Sequence, residues 1–99
     1  MKRKVSIQND ENIISSITGL FESFNGMQNV YFGDLLLTNK RLYLVGKKPI
    51  NIEESLWFSG EERNNRQSTL IVGEHSIRIR WNCDGNFLSF INAYQHLNL

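Results

Sequence analysis

The sequence predicts a mainly β domain closed by one C-terminal α-helix. Two legible hairpins and one amphipathic stripe carry that prediction. The hairpins bend at Asn39-Lys40 and at Gly73-Glu74, and the stripe runs from Phe87 to Leu97. Seven glycines and one proline, mostly set between apolar runs, give the rhythm of short strands and turns.

Residues 1–9 are polar and read as a loose arm. Residues 10–99 then form one domain, because ninety-nine residues leave no room for a second core. The segment 13–24 is ambiguous. Ile13, Ile14, Ile17, Leu20, Phe21 and Phe24 fall at helical spacing, and Asn9 or Asp10 can cap the start. Ser15, Ser16, Thr18, Gly19 and Ser23 are indifferent or poor helix formers, and alternation places Ile13, Ile17 and Phe21 on one face of a strand. Local pattern alone favours the helix slightly.

The first hairpin is clearer. A two-residue turn at Asn39-Lys40 pairs Thr38 with Arg41, Leu37 with Leu42 and Leu35 with Leu44. Directly opposed residues share a face, so Leu35, Leu37, Leu42 and Leu44 make one apolar surface. The other face, with Asp34, Leu36, Tyr43 and Val45, is mixed. In the second hairpin, glycine at the first turn position suits a type II′ turn. The pairing aligns Leu70 with Ile77 and Val72 with His75, with Ile79 and Trp81 continuing that face and Ser76, Arg78 and Arg80 pointing away. Between the hairpins, Pro49-Ile50-Asn51-Ile52 and Ser55-Leu56-Trp57-Phe58 are short strand candidates, and 59–67 reads as a polar loop.

Phe87, Phe90, Ile91, Tyr94 and Leu97 recur at helical spacing, with Ser89, Asn92 and Gln95 behind them. Asp84 or Asn86 can cap the start. The stripe needs a partner, and the leucine or Ile/Trp face of a sheet is the one available.

The stretch Gly33-Asp34-Leu35-Leu36-Leu37-Thr38-Asn39-Lys40-Arg41-Leu42-Tyr43-Leu44 resembles the signature of GRAM and bacterial pleckstrin-homology (PH-like) domains. The order of elements is also similar: a long first strand, this hairpin, further strands, and one C-terminal helix. The resemblance spans about residues 11–98, with only the hairpin close at residue level. It implies a split barrel of seven antiparallel strands in two near-orthogonal sheets, capped by the helix. It makes residues 13–24 the first strand, against the local helical pattern. The middle of the chain departs from the family, since the fourth and fifth strands are thin.

Composition narrows function. Forty per cent hydrophobic residues and 21% charged describe a globular chain rather than a disordered tail. A net charge of +1 argues against a nucleic-acid partner, which would need many unopposed cations. No apolar run approaches the ~20 residues of a membrane span, and the basic start Met1–Lys4 is not followed by the apolar core of a signal peptide. One cysteine fits a reducing, cytoplasmic setting and excludes an internal disulfide.

No catalytic constellation is evident, and an enzyme is not expected. His75, Cys83 and Asp84 are the suggestive trio, but extended chain would part His75 from Cys83 by over ~20 Å. Cys83 reads as a small residue at a strand–helix junction. His75 and His96 lack metal-ligand spacing, and no glycine-rich phosphate loop or cofactor motif is present.

The expectation is a non-catalytic binding module that contacts a protein partner or a second copy of itself. Arg78 and Arg80 alternate on an outer face. Of the adjacent Trp57 and Phe58 only one can face the core. Burial is the favoured reading of Trp57; on the surface it joins Arg78 and Arg80 as a candidate protein contact. The alternative is weak peripheral binding to an anionic membrane at the inner face. The resemblance places basic residues around the first inter-strand loop of phosphoinositide-binding relatives. Here Asn25–Tyr31 holds no Lys or Arg, so that pocket is missing. The same resemblance brings this loop near Lys47 and Lys48, leaving Met27, Val30 and Tyr31 beside two lysines of ~1 kcal/mol each at an anionic surface. The arm Met1–Lys4 adds three charges.

Overall fold

The computed structural model describes residues 7–60, 62–64 and 68–97, with the backbone alone for 62–64. The elements are β1 (Ile13–Phe24), β2 (Gln28–Thr38), β3 (Arg41–Lys48), β4 (Ile52–Trp57), β5 (Glu62–Asn64), β6 (Thr69–Val72), β7 (His75–Asp84) and α1 (Phe87–Gln95). The strands pair antiparallel in the order β4-β3-β2-β1-β7-β6-β5. Six of them have four residues or more and curl into a half-barrel; β5 is a three-residue segment at one edge. The helix packs into the concave side.

Residues 13–24 are a strand, as the resemblance implies and against the local helical pattern. β1 pairs along one side with β2 and along the other with β7, and ladder bonds on both flanks override a weak local preference. Ile17, Gly19, Phe21 and Ser23 face inward and are buried. Ile13 lies beyond a bulge and is exposed, so it does not share their face.

The β2–β3 register is as expected, with Leu37 opposite Leu42 and Leu35 opposite Leu44. These four leucines are fully buried with Ile17, Phe21, Leu56, Leu70, Ile77, Phe90, Ile91 and Tyr94 in one core. The other face of the hairpin is not merely mixed. Leu36, Tyr43 and Val45 form a second buried cluster, against which Ile7 packs. Gly33 sits where β2 and β3 approach closely: a Cβ there would lie 2.2 Å from the Val45 carbonyl oxygen.

The second hairpin also keeps its register, with Leu70 opposite Ile77 and Val72 opposite His75, and Gly73 has φ 63°. Its far end differs from expectation. Phe21 pairs with Ile79 but Leu20 pairs with Trp81, so Arg80 is an extra residue in a β-bulge. The bulge shifts the alternation, and Trp81 turns outward, 58% exposed.

In the middle of the chain, the two expected short strands are one. β4 runs through Ile52–Trp57, while Pro49, Ile50 and Asn51 belong to the preceding turn. Residues 62–64 of the expected loop pair with β6.

Asn86 caps α1, its Oδ1 accepting from the Ser89 N–H at 2.9 Å. Phe90, Ile91 and Tyr94 are buried, with Phe87 and Leu97 half-buried against the same core. The Tyr94 hydroxyl donates to the Ile71 carbonyl at 2.8 Å, tying the helix to β6.

Candidate functional site

Thr38, Asn39, Lys40 and Arg41, the turn at the centre of the resemblance, hold the segment that precedes β1. The Arg41 guanidinium meets Glu11 through two bonds, Nε to Oε2 at 2.8 Å and Nη2 to Oε1 at 3.1 Å. Its Nη1 donates to the Ser55 hydroxyl at 2.7 Å. The plane lies over the Tyr43 ring at 4.0 Å and the Trp57 ring at 4.4 Å. Thr38 Oγ1 donates to Glu11 Oε2 at 2.6 Å and accepts from the Lys40 and Arg41 amides. Asn39 Oδ1 accepts from the Asn12 N–H, and Lys40 Nζ pairs with Asp10.

Glu11 is 4% exposed. Burial alone would raise its carboxyl; bonds from Arg41, Thr38 and Gln8 outweigh it and lower the carboxyl to about 2. A buried charge so fully paired is a structural device. The four turn residues are therefore engaged within the fold rather than presented to a ligand.

The β3–β4 register, with Arg41 opposite Trp57, decides the pair Trp57 and Phe58. Phe58 packs against the core and meets Tyr94 edge-on at 6.2 Å. Trp57 is not buried, contrary to the favoured reading: it lies outside, 45% exposed, stacked on Arg41.

The expected lipid-facing residues divide. Tyr31 is buried inside the half-barrel, 6% exposed, and is not a surface contact. Burial, and then Glu54, pushes its hydroxyl up. Val30 is on the outer face, exposed, beside Glu22. Met27, at 71%, is the most exposed of the large apolar side chains among the described residues. Lys47 and Lys48 are exposed at the end of β3. The β2–β3 register sets the turn carrying Met27 and the turn carrying Ile50 at the same end of the sheet, and Phe24 and Ile50 are exposed there too. Residues 1–4, the expected source of three further charges, lie outside the described residues.

Arg78 and Arg80 are exposed on the outer face of β7 and share one carboxylate, Glu22, at 4.0 and 3.9 Å. Trp57 is not with them: three strands, β3, β2 and β1, stand between β4 and β7. Trp81 takes its place in that group. Its ring lies 6.5 Å from Phe32, with Leu20 between them in the register. Sequence alternation misses Trp81, because it carries no local sign of the bulge.

His75 opens β7 and Cys83 lies at its other end, exposed. Among the described residues no three His, Cys, Asp or Glu side chains gather as a metal site, and no helix is long and apolar enough to cross a membrane.

No family model, curated protein or solved structure matches the chain.

Proposed function

We propose that the chain is a non-catalytic binding module of the PH-like, GRAM or bacterial type. In this reading the curled sheet corresponds to a split barrel of seven strands in two near-orthogonal halves, with α1 as the plug, in a cytoplasmic setting. The module contacts a protein, either a second copy or a foreign partner, through the outer face around Trp81. One observation carries this reading. An exposed tryptophan, its ring tilted 6.5 Å from Phe32, lies beside two arginines that share a single carboxylate. Trp and Arg are the side chains that dominate protein contacts, and a half-desolvated indole on a rigid sheet loses little freedom on binding. Analytical ultracentrifugation from micromolar to millimolar concentration tests it. Self-association that Trp81→Ser abolishes identifies a second copy as the partner. A single 11.5 kDa species at all concentrations leaves only a foreign protein.

A second reading has its own support in the exposed Phe24, Met27 and Ile50 near Lys47 and Lys48. Apolar tips beside lysines suit an anionic bilayer, though two lysines make binding weak. Sedimentation with phosphatidylserine vesicles at two salt concentrations tests it. Lys47→Glu with Lys48→Glu leaves stability near unchanged and removes any salt-sensitive pelleting. Absence of such pelleting for the native chain rules the reading out.

A further inference from the structure

Among the described residues β4 is an end strand, paired with β3 alone. The Phe58 N–H donates to the Lys40 carbonyl at 2.9 Å, which fixes the phase of the β3–β4 ladder. Bonded and non-bonded pairs alternate along an antiparallel ladder. Leu56, Glu54 and Ile52 therefore bond inward to Leu42, Leu44 and Gly46. Glu53, Ser55 and Trp57 turn their N–H and C=O groups to the open edge, where no other strand among the described residues takes them.

Beside this edge the half-barrel leaves a cleft of about 240 Å³. Leu56 and Trp57 line one wall; Val72, Gly73, Glu74 and His75 line the other. Ser55 and Ser59 line it as well, and its volume has room for a side chain or two. Among the described residues no Lys or Arg lines it, and no cation pairs with Glu74. Glu53 and Glu54 add two carboxylates to the strand itself. β4 itself holds two glutamates and no Lys or Arg, so a second copy laid antiparallel on it offers this edge no opposite charge. An extended segment bearing a cation meets the opposite charge instead.

We infer that the open edge of β4 takes an extended protein segment as an added strand, with an apolar side chain in the cleft over Leu56 and Val72 and a Lys or Arg beside Glu74. Backbone bonds to Glu53, Ser55 and Trp57 supply affinity, while the cleft and the carboxylate select the sequence. This edge is distinct from the Trp81 face, and either can fail without the other.

The test uses a fluorescein-labelled synthetic peptide of alternating valine and threonine with one central lysine, read by anisotropy and by amide chemical shifts of the labelled domain. Saturable binding is expected, with shifts at Glu53, Ser55 and Trp57 larger than at Glu54 and Leu56. N-methylation of one alternating set of peptide residues abolishes binding, and of the other set spares it. Glu74→Lys weakens the lysine peptide several-fold and reverses its preference over a glutamate peptide, while Trp81→Ser changes neither. Three outcomes overturn the inference. One is no saturable binding. Another is equal loss from both N-methylated sets. The last is self-association that buries the Glu53, Ser55 and Trp57 amides, which assigns the edge to a second copy.

Discussion

Replacing Glu11 by glutamine isolates the charge at the centre of the Thr38–Arg41 turn. The glutamine keeps the shape and one carbonyl oxygen, but Arg41 loses its counter-ion. The native carboxyl sits at about 2 when folded against an ordinary 4.5. Such a difference is equivalent to ~3 kcal/mol at neutral pH. The glutamine carbonyl still accepts one Arg41 bond and offsets part of it, so ~2 kcal/mol is expected. That is a large share of the ~5–15 kcal/mol that holds a small domain folded. The direction follows from the depressed value. The contribution is complete above pH 4.5 and is lost as pH falls towards 2. Urea unfolding of both proteins from pH 7 to pH 2 checks this. Their stability difference should be ~2 kcal/mol at pH 7 and shrink steadily below pH 4.5. Subtracting one protein from the other cancels the remaining carboxylates. A difference that stays constant through this window, or is under ~0.5 kcal/mol at pH 7, refutes the account of Glu11 as a charged clamp.

Three other outcomes are expected. Gly33→Ala should destabilise by at least ~2 kcal/mol in urea unfolding, because its new methyl meets the Val45 carbonyl oxygen and the Gly46 Cα rather than a yielding side chain. Asn86→Ala should lose ~1 kcal/mol as the Ser89 amide loses its cap, with faster amide exchange confined to the first turn of α1. Tyr94→Phe should lose ~1 kcal/mol by leaving the Ile71 carbonyl without its donor, measured by thermal unfolding with the fold kept in circular dichroism.

The leucine ribbon was legible because alternation and a two-residue turn leave one register that buries Leu35, Leu37, Leu42 and Leu44 together. The helix was legible for the same reason at a different period, and Asn86 was one of its two candidate caps. Features that depend on distant partners were not. Nothing near Arg41 announces Glu11, thirty residues away, so a buried ion pair read as turn chemistry. The β3–β4 register, with Arg41 opposite Trp57, sets which of Trp57 and Phe58 lies inside. Trp81 escaped because one extra residue in β7 changes the phase of alternation without any glycine or proline to mark it. Of the candidate contacts, Arg78, Arg80, Met27, Lys47 and Lys48 were legible as exposed residues. Tyr31 was not, because the curl of the sheet carries it inside.

The clasp between the turn and the approach to β1 has a consequence for sequence drift. Its two halves are encoded far apart, yet neither is useful alone: arginine without the acid is an uncompensated cation between two rings, and the acid without arginine is a stranded anion. Substitutions at positions 11 and 41 should therefore travel together in any descendant of this chain, and a lineage that discards one should be found to have replaced both with something oily.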